Sequence, residues 1–178
     1  MRRQPVASGF YRGDIKAQVD EFERGFVSPP GLPGRIVAGI VPHAGWFFSG
    51  AIAAKVFLNI KSKNPPRTFI MFGAVHNPGV RENSIYAEGS WDTPIGPVKV
   101  NSTLAGKLLS GLGDVLEENP DAHMQEHSIE VQVPMIRQLF PEAMIVPIAV
   151  PGKNALELGR RVGRLLLEEK EDAVVIGS

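Results

Sequence analysis

A three-layer α/β domain built on a mostly parallel sheet, with a hairpin inserted beside it, is the fold class this sequence predicts, on three observations. Unbroken apolar runs recur at Gly39 to Pro42, Thr68 to Val75, Met144 to Val150 and Asp172 to Gly177, the form taken by strands buried on both faces. Segments with helical spacing of apolar residues separate them, and that alternation is the signature of crossover connections between parallel strands. The pattern breaks only between Arg81 and Asn101, where short extended pieces surround Trp91-Asp92-Thr93-Pro94-Ile95-Gly96.

In chain order, Asp14 to Phe26 places Ile15, Val19, Phe22 and Phe26 at helical intervals behind an acidic start, predicting an amphipathic helix on the sheet. Ser28-Pro29-Pro30-Gly31-Leu32-Pro33-Gly34 is a breaker-rich connection. Arg35 to Pro42 is read as the first strand. A helix from Ser49 or Gly50 through Ile60 carries Ile52, Val56 and Ile60, and Asn64-Pro65-Pro66 stops it before the second strand. Ser84 to Ala87 and Pro97 to Val100 are expected to form the hairpin. Ser102 is positioned to cap a helix through Leu112 with Leu104, Leu108 and Leu112 inward. Gln125 to Phe140 has Ile129, Val133, Ile136 and Phe140 on one face, and Pro134 inside it predicts a kink or a 3₁₀ segment. Asn154 then caps a last helix bearing Leu158, Val162, Leu165 and Leu166.

Composition narrows the function. At 178 residues and 43% hydrophobic content the chain has material for one core, so a single domain over 1–178 is expected. Lys+Arg and Asp+Glu balance at 19 each, and no basic stretch alternates with aromatics, which argues against nucleic acid. Without cysteine, disulfides and thiolate ligands are excluded, and any metal must be held by nitrogen and oxygen. No apolar run approaches the roughly 20 residues that span a bilayer, and Met1-Arg2-Arg3-Gln4-Pro5 opens no signal sequence, so a cytoplasmic setting without membrane contact is expected.

Four histidines carry the functional reading: His43, His76, His123 and His127. His43 and His76 each follow the last residues of a predicted strand, where an open parallel sheet presents its ligand crevice. A lone histidine there is usually a hydrogen-bonded structural residue, but two at corresponding strand ends, each followed by glycine-bearing turns, can share a metal. His127 lies in Gln125-Glu126-His127-Ser128-Ile129-Glu130. One reading is an acidic first helical turn with Glu130 in solvent. The other has His127 entering the crevice to move protons, a glutamate fixing its tautomer and Glu130 touching the ligand. His123-Met124-Gln125-Glu126-His127 also fits the H-x-x-E-H zinc-peptidase pattern. Trp46, with Phe47 and Phe48, can wall a pocket or serve as packing. Neither phosphate-binding glycine motif follows a strand, and no G-x-S-x-G elbow occurs.

Val41-Pro42-His43-Ala44-Gly45, Ser49-Gly50, Gly73-Ala74-Val75-His76, Trp91-Asp92-Thr93-Pro94-Ile95-Gly96, Glu126-His127-Ser128-Ile129-Glu130 and Val146-Pro147-Ile148, in this order, resemble the Memo family, the B component of the AmmeMemoRadiSam grouping. The likeness runs from Ala7-Ser8-Gly9-Phe10-Tyr11 onward. It implies a fold similar to class III extradiol dioxygenases, whose non-haem Fe(II) sits on two histidines and a carboxylate. It also implies metal ligation by His43 and His76, a pocket position for His127, and redox chemistry with Fe(II) or copper. Some members are linked to phosphotyrosine peptides, so a small molecule or a peptide is the expected ligand. In the family the strand matching Asp172 to Ser178 continues into Ser-Asp-x-x-His, with a further ligand, often cysteine, beyond it. This sequence stops at the serine, and the expectation is of a domain lacking the carboxyl-terminal part of the family fold. That departure favours a second reading, a non-catalytic module binding a peptide or small anion in the same crevice.

Overall fold

The computed structural model describes residues 1–11, 13–32 and 34–178; Pro33, in the predicted breaker-rich loop, lies outside the described residues. Its chain order is β1 (Arg2–Arg3), α1 (Ile15–Arg24), β2 (Ala38–Ile40), α2 (Ala51–Lys63), β3 (Thr68–Ala74), β4 (Ser84–Ile85), β5 (Ser90–Trp91), β6 (Val98–Lys99), α3 (Ser102–Leu112), β7 (Glu117–Glu118), α4 (Val133–Leu139), β8 (Met144–Val150), α5 (Ala155–Glu168) and β9 (Ala173–Gly177).

Six strands form the central sheet in the order β2-β9-β3-β8-β4-β7. All neighbours run parallel except β4 against β8. Strand periodicity divides the interior in two, because successive side chains leave opposite faces. Phe69 and Met71 of β3 and Val174 and Ile176 of β9 join Phe57, Trp46, Ile136 and Phe140 on the side of α1, α2 and α4. Ile70 of β3 and Val146 and Ile148 of β8 join Leu104, Leu108, Leu158 and Val162 on the side of α3 and α5. The mixed α/β architecture with a mostly parallel sheet therefore stands.

Several local expectations are corrected. The hairpin pairs β5 with β6, Ser90 opposite Lys99 and Trp91 opposite Val98, and β1 adds to it in parallel. Ser84–Ile85 instead joins the main sheet. Asn101, one residue earlier than Ser102, caps α3 by accepting from Leu104 N at 3.1 Å. Asn154 occupies the cap position of α5 with φ 55°, but its side chain makes no capping bond. The first strand is short at its start, since Ile36 N donates to Asn64 Oδ1 at 2.7 Å rather than to the ladder.

The largest difference is in 125–140. A single kinked helix does not form: 3₁₀ turns occupy Pro120–His123 and Glu130–Gln132, and α4 begins only at Val133. Pro134 lies in the first turn of α4, where its missing N–H costs nothing, whereas in mid-helix it would break a bond to the preceding turn. The residues between the 3₁₀ turns, 124–129, are left as an irregular loop, and Glu126 and Glu130 do not share a helix face.

Candidate metal centre at the carboxyl ends of the strands

His43 follows β2 by three residues and His76 follows β3 by two, both at the carboxyl ends of parallel strands. The two strands are not neighbours in the sheet, because β9 lies between them. Strands two places apart are separated by about 9.5 Å, yet the rings of His43 and His76 meet at 5.3 Å between centroids. The loops close over the end of β9, where Ser178 Oγ stands 3.5 Å from His43 Nδ1, accepts from Gln132 Nε2 at 3.0 Å and donates to Ser128 O at 2.8 Å. Gln132 also donates to Pro42 O at 3.0 Å, tying the histidine turn after β2 to the segment before α4.

His127 completes the cluster, 4.3 Å from the His76 ring and 5.8 Å from that of His43. Its loop reaches β3 because Gly73 has no side chain: a Cβ there would lie 2.5 Å from Ile129 Cγ1 and 2.6 Å from Ser128 Oγ. Ser128 Oγ secures the approach by donating to Ala74 O at 2.7 Å.

Glu126 organises the site beneath the rings. Its buried carboxylate accepts from His76 N at 2.6 Å, His127 N at 2.8 Å and Ser128 N at 2.9 Å, and Oε1 lies 2.8 Å from His76 Nδ1. Burial works to raise its pKa, but these hydrogen bonds outweigh that and bring it down to about 2, so the group is ionised at neutral pH. The ionised partner fixes the proton of His76 on Nδ1 and leaves the lone pair of Nε2 free to coordinate. The sequence reading gave a glutamate to His127; the structure gives Glu126 chiefly to His76, with His127 Nδ1 farther off at 3.5 Å.

One nitrogen from each of His43, His76 and His127 lies within 4.8 Å of the other two. Burial, followed by repulsion from the other rings, lowers the pKa of His43; burial also lowers that of His127. Both are therefore neutral at pH 7, the form that coordinates. Metal–imidazole distances of about 2.1 Å allow two nitrogens on one ion to be at most about 4.2 Å apart, so the rings need to draw in slightly. Three imidazoles, one of them oriented by a carboxylate, suit a divalent transition metal, and the residues fit such an ion.

The remaining expected residues fall elsewhere. Glu130 is 1% exposed. Its carboxylate is occupied by Arg3 Nη1 at 2.8 Å, Tyr11 Oη at 2.7 Å, and the backbone N–H groups of Val6 and Ala7. It anchors the amino-terminal segment and has no oxygen turned to the crevice. Trp46 is 5% exposed, donates from Nε1 to Val131 O at 2.8 Å, and packs near Tyr11 and Phe22. It also lines a cavity of about 750 Å³ with Phe10, Phe47 and Phe48. Phe10 touches the His127 ring at 4.7 Å and so connects cavity and cluster. The H-x-x-E-H reading does not hold, because His123 is fully buried, lies in a 3₁₀ turn and points Nε2 at Ser84 O, 3.0 Å away. Reading by residue type missed Arg3, Ser128 and Gln132, which hold the site through long-range bonds that leave no local pattern.

Fold and site together define an α/β protein with a histidine-lined crevice at the carboxyl edge of its sheet. The model of the Memo-like protein family matches residues 2–178, and the chain belongs to that family. It is 36% identical over 189 residues to a MEMO1 family protein of Thermococcus onnurineus, covering 100% of this chain and 64% of that one. A MEMO1 family protein of Pyrococcus abyssi is 34% identical over 188 residues, again covering 100% and 64%. One of Thermoplasma acidophilum is 28% identical over 179 residues, covering 100% and 66%. The chain thus spans about two thirds of the length of these relatives. A solved structure of an uncharacterised protein from Escherichia coli K12 matches with a TM-score of 0.48 at 14% identity, covering 71% of this chain and 52% of that one. Among the described residues, no helix is long and apolar enough to cross a membrane.

Proposed function

We propose that His43 and His76 hold the metal of a redox protein that takes Fe(II) first and copper second, with His127 beside them facing the same point, in a fold similar to the class III extradiol dioxygenases. The single observation that carries the reading is the convergence of three imidazoles from three separate segments, with their nitrogens within 4.8 Å. Iron or copper, once bound, supplies one-electron chemistry and open positions for an oxygen-bearing ligand.

His43 and His76 are the principal holders, and the Glu126 carboxylate orients His76 Nε2 toward the shared point. His127, beside them, serves to take or give a proton on the ligand, its ring steadied by Phe10. Trp46 acts on the ligand through the wall of the adjoining cavity, and Glu130 acts by anchoring the amino-terminal segment whose Phe10 packs against His127. A cytoplasmic setting, which keeps iron ferrous, belongs to this reading.

The aromatic cavity favours a second reading. Phe47 and Phe48 are 83% and 77% exposed beside it, a surface suited to a peptide or small molecule without turnover. Metal content of protein purified without chelator, compared among wild type, His43→Ala and His76→Ala, tests the first reading. Bound iron or copper lost in both variants is expected, and equal negligible metal in all three overturns it. Oxygen uptake by iron-loaded protein with a catechol panel then separates turnover from binding alone, which predicts none.

A further inference from the structure

We infer that the amino-terminal segment 2–11 is a strap that sets the histidine loop in place, with Arg3 as its positioning residue. The inference rests on the metal-site reading and extends it to residues remote in sequence.

The loop 124–129 carries Glu126 and His127 yet belongs to no helix or strand, and its own main-chain bonds are isolated turns, such as Glu126 N to His123 O at 3.3 Å, rather than a continuous ladder. Arg3 supplies what is missing. Nε donates to His123 O at 2.8 Å and Nη2 to Glu126 O at 2.7 Å, so one guanidinium spans the start of the loop. Nη1 donates to Glu130 Oε2 at 2.8 Å, just past its end. The cation also lies 4.1 Å over the Trp91 ring, which fixes the plane of the fork. Arg3 is 1% exposed, and a charge so buried is tolerable only with these partners in place. A lysine, one point charge on a flexible stem, cannot bridge three acceptors held apart at fixed angles.

The rest of the strap converges on the same loop. Val6 N, Ala7 N and Tyr11 Oη bind the Glu130 carboxylate, and Phe10 packs against the His127 ring. β1 pairing with β5, and Met1 O accepting from Ser90 N at 3.0 Å, tie the strap's start to the hairpin. Loss of Arg3 would loosen Glu126 and His127 together, since its main-chain acceptors, His123 O just before the loop and Glu126 O within it, fix the stretch of backbone that leads into both side chains.

The test uses Arg3→Lys, with Co(II) alone as the metal probe and the tautomer of His76 as a metal-free readout. In wild type, long-range ¹H–¹⁵N correlation is expected to place the His76 proton on Nδ1, facing Glu126. In Arg3→Lys the signal should move to a mixture of tautomers, and Co(II) affinity should fall by roughly 10- to 100-fold, the range for lost partners of metal ligands. Leu108→Ala, in the core on the opposite side of the sheet, controls for lost stability and should keep both the tautomer and the affinity. If Arg3→Lys does not fold, Tyr11→Phe removes one strap bond and should shift the same two readouts in the same direction. Unchanged tautomer and affinity in the folded variant overturn the strap. Wild type that binds no Co(II) overturns the metal reading instead, and the His76 tautomer then decides the strap alone.

Discussion

Acid should unfold this protein through a histidine that has no part in the metal centre. His123 is fully buried between Tyr86 and Trp91, and its Nε2 faces Ser84 O at 3.0 Å while Nδ1 has no partner among the described residues. Burial lowers its pKa to about 4; the bond to Ser84 O works in the opposite direction, and Arg3 adds to the lowering. The folded protein therefore refuses a proton that the unfolded chain accepts near pH 6.5. Stability has its full value above that pH, falls as pH drops through the window down to about 4, and levels below it. A depression from about 6.5 to about 4 amounts to about 3 kcal/mol in total, of which about 2 kcal/mol is lost between pH 7.5 and 5. His43 and His127, also lowered, act in the same window, so the contribution of His123 must be isolated by difference. His123→Gln keeps a donor for Ser84 O and does not titrate. Urea unfolding followed by tryptophan fluorescence at several pH values from about 7.5 to 5 gives both slopes. The wild type should be steeper by up to about 1.4 kcal/mol per pH unit, the value for one proton. Parallel slopes would refute the reasoning, because they would mean that His123 protonates without cost in the folded state.

Two further outcomes follow from the site. Gly73→Ala should destabilise by about 1 to 3 kcal/mol, since its Cβ would lie 2.5 Å from Ile129 Cγ1. Co(II) affinity should drop with it, and Ile129→Ala in the same background should recover part of the loss; unchanged affinity in Gly73→Ala would show that the approach of the loop to β3 is not needed. Glu126→Gln retains the shape but removes the charge that fixes His76, so Co(II) affinity should fall by roughly 10- to 100-fold, as isothermal titration would show. The same variant should lose the wild-type stability decline that begins near the ordinary carboxyl pKa and runs down to about 2, because Glu126 stabilises only while ionised.

Much of this molecule was legible in the residue pattern, for a physical reason. β3, β8 and β9 lie within runs whose continuous apolar character reports burial on both faces, and α1, α3 and α5 follow the helical spacing of their apolar residues, whereas α2 leaves the expected Ile52 exposed and buries Phe57 and Leu58 beside Ile60. Periodicity is local, and so is the placement of His43 and His76 just past their strands. The proline at 134 was legible as a breaker but not as a start, because whether a helix continues before it depends on what the preceding turn can bond to instead. Here Glu126 and Arg3 take up the backbone groups of that turn.

The sequence by itself determined the alternation of strands and helices and the placement of His43 and His76 just past two strands, and it offered His127 to the same crevice, since each follows from the chemistry of a dozen consecutive residues. Only the tertiary structure decided that β9 runs between the histidine-bearing strands, that Glu126 serves His76, that Glu130 is buried under the amino-terminal strap and that His123 faces away. Those outcomes depend on bonds between residues as far apart as Arg3 and Glu130, separated by 127 positions, whose partners no local pattern specifies. Buried polar groups must find partners wherever the fold places them, and that choice is made by the packed whole.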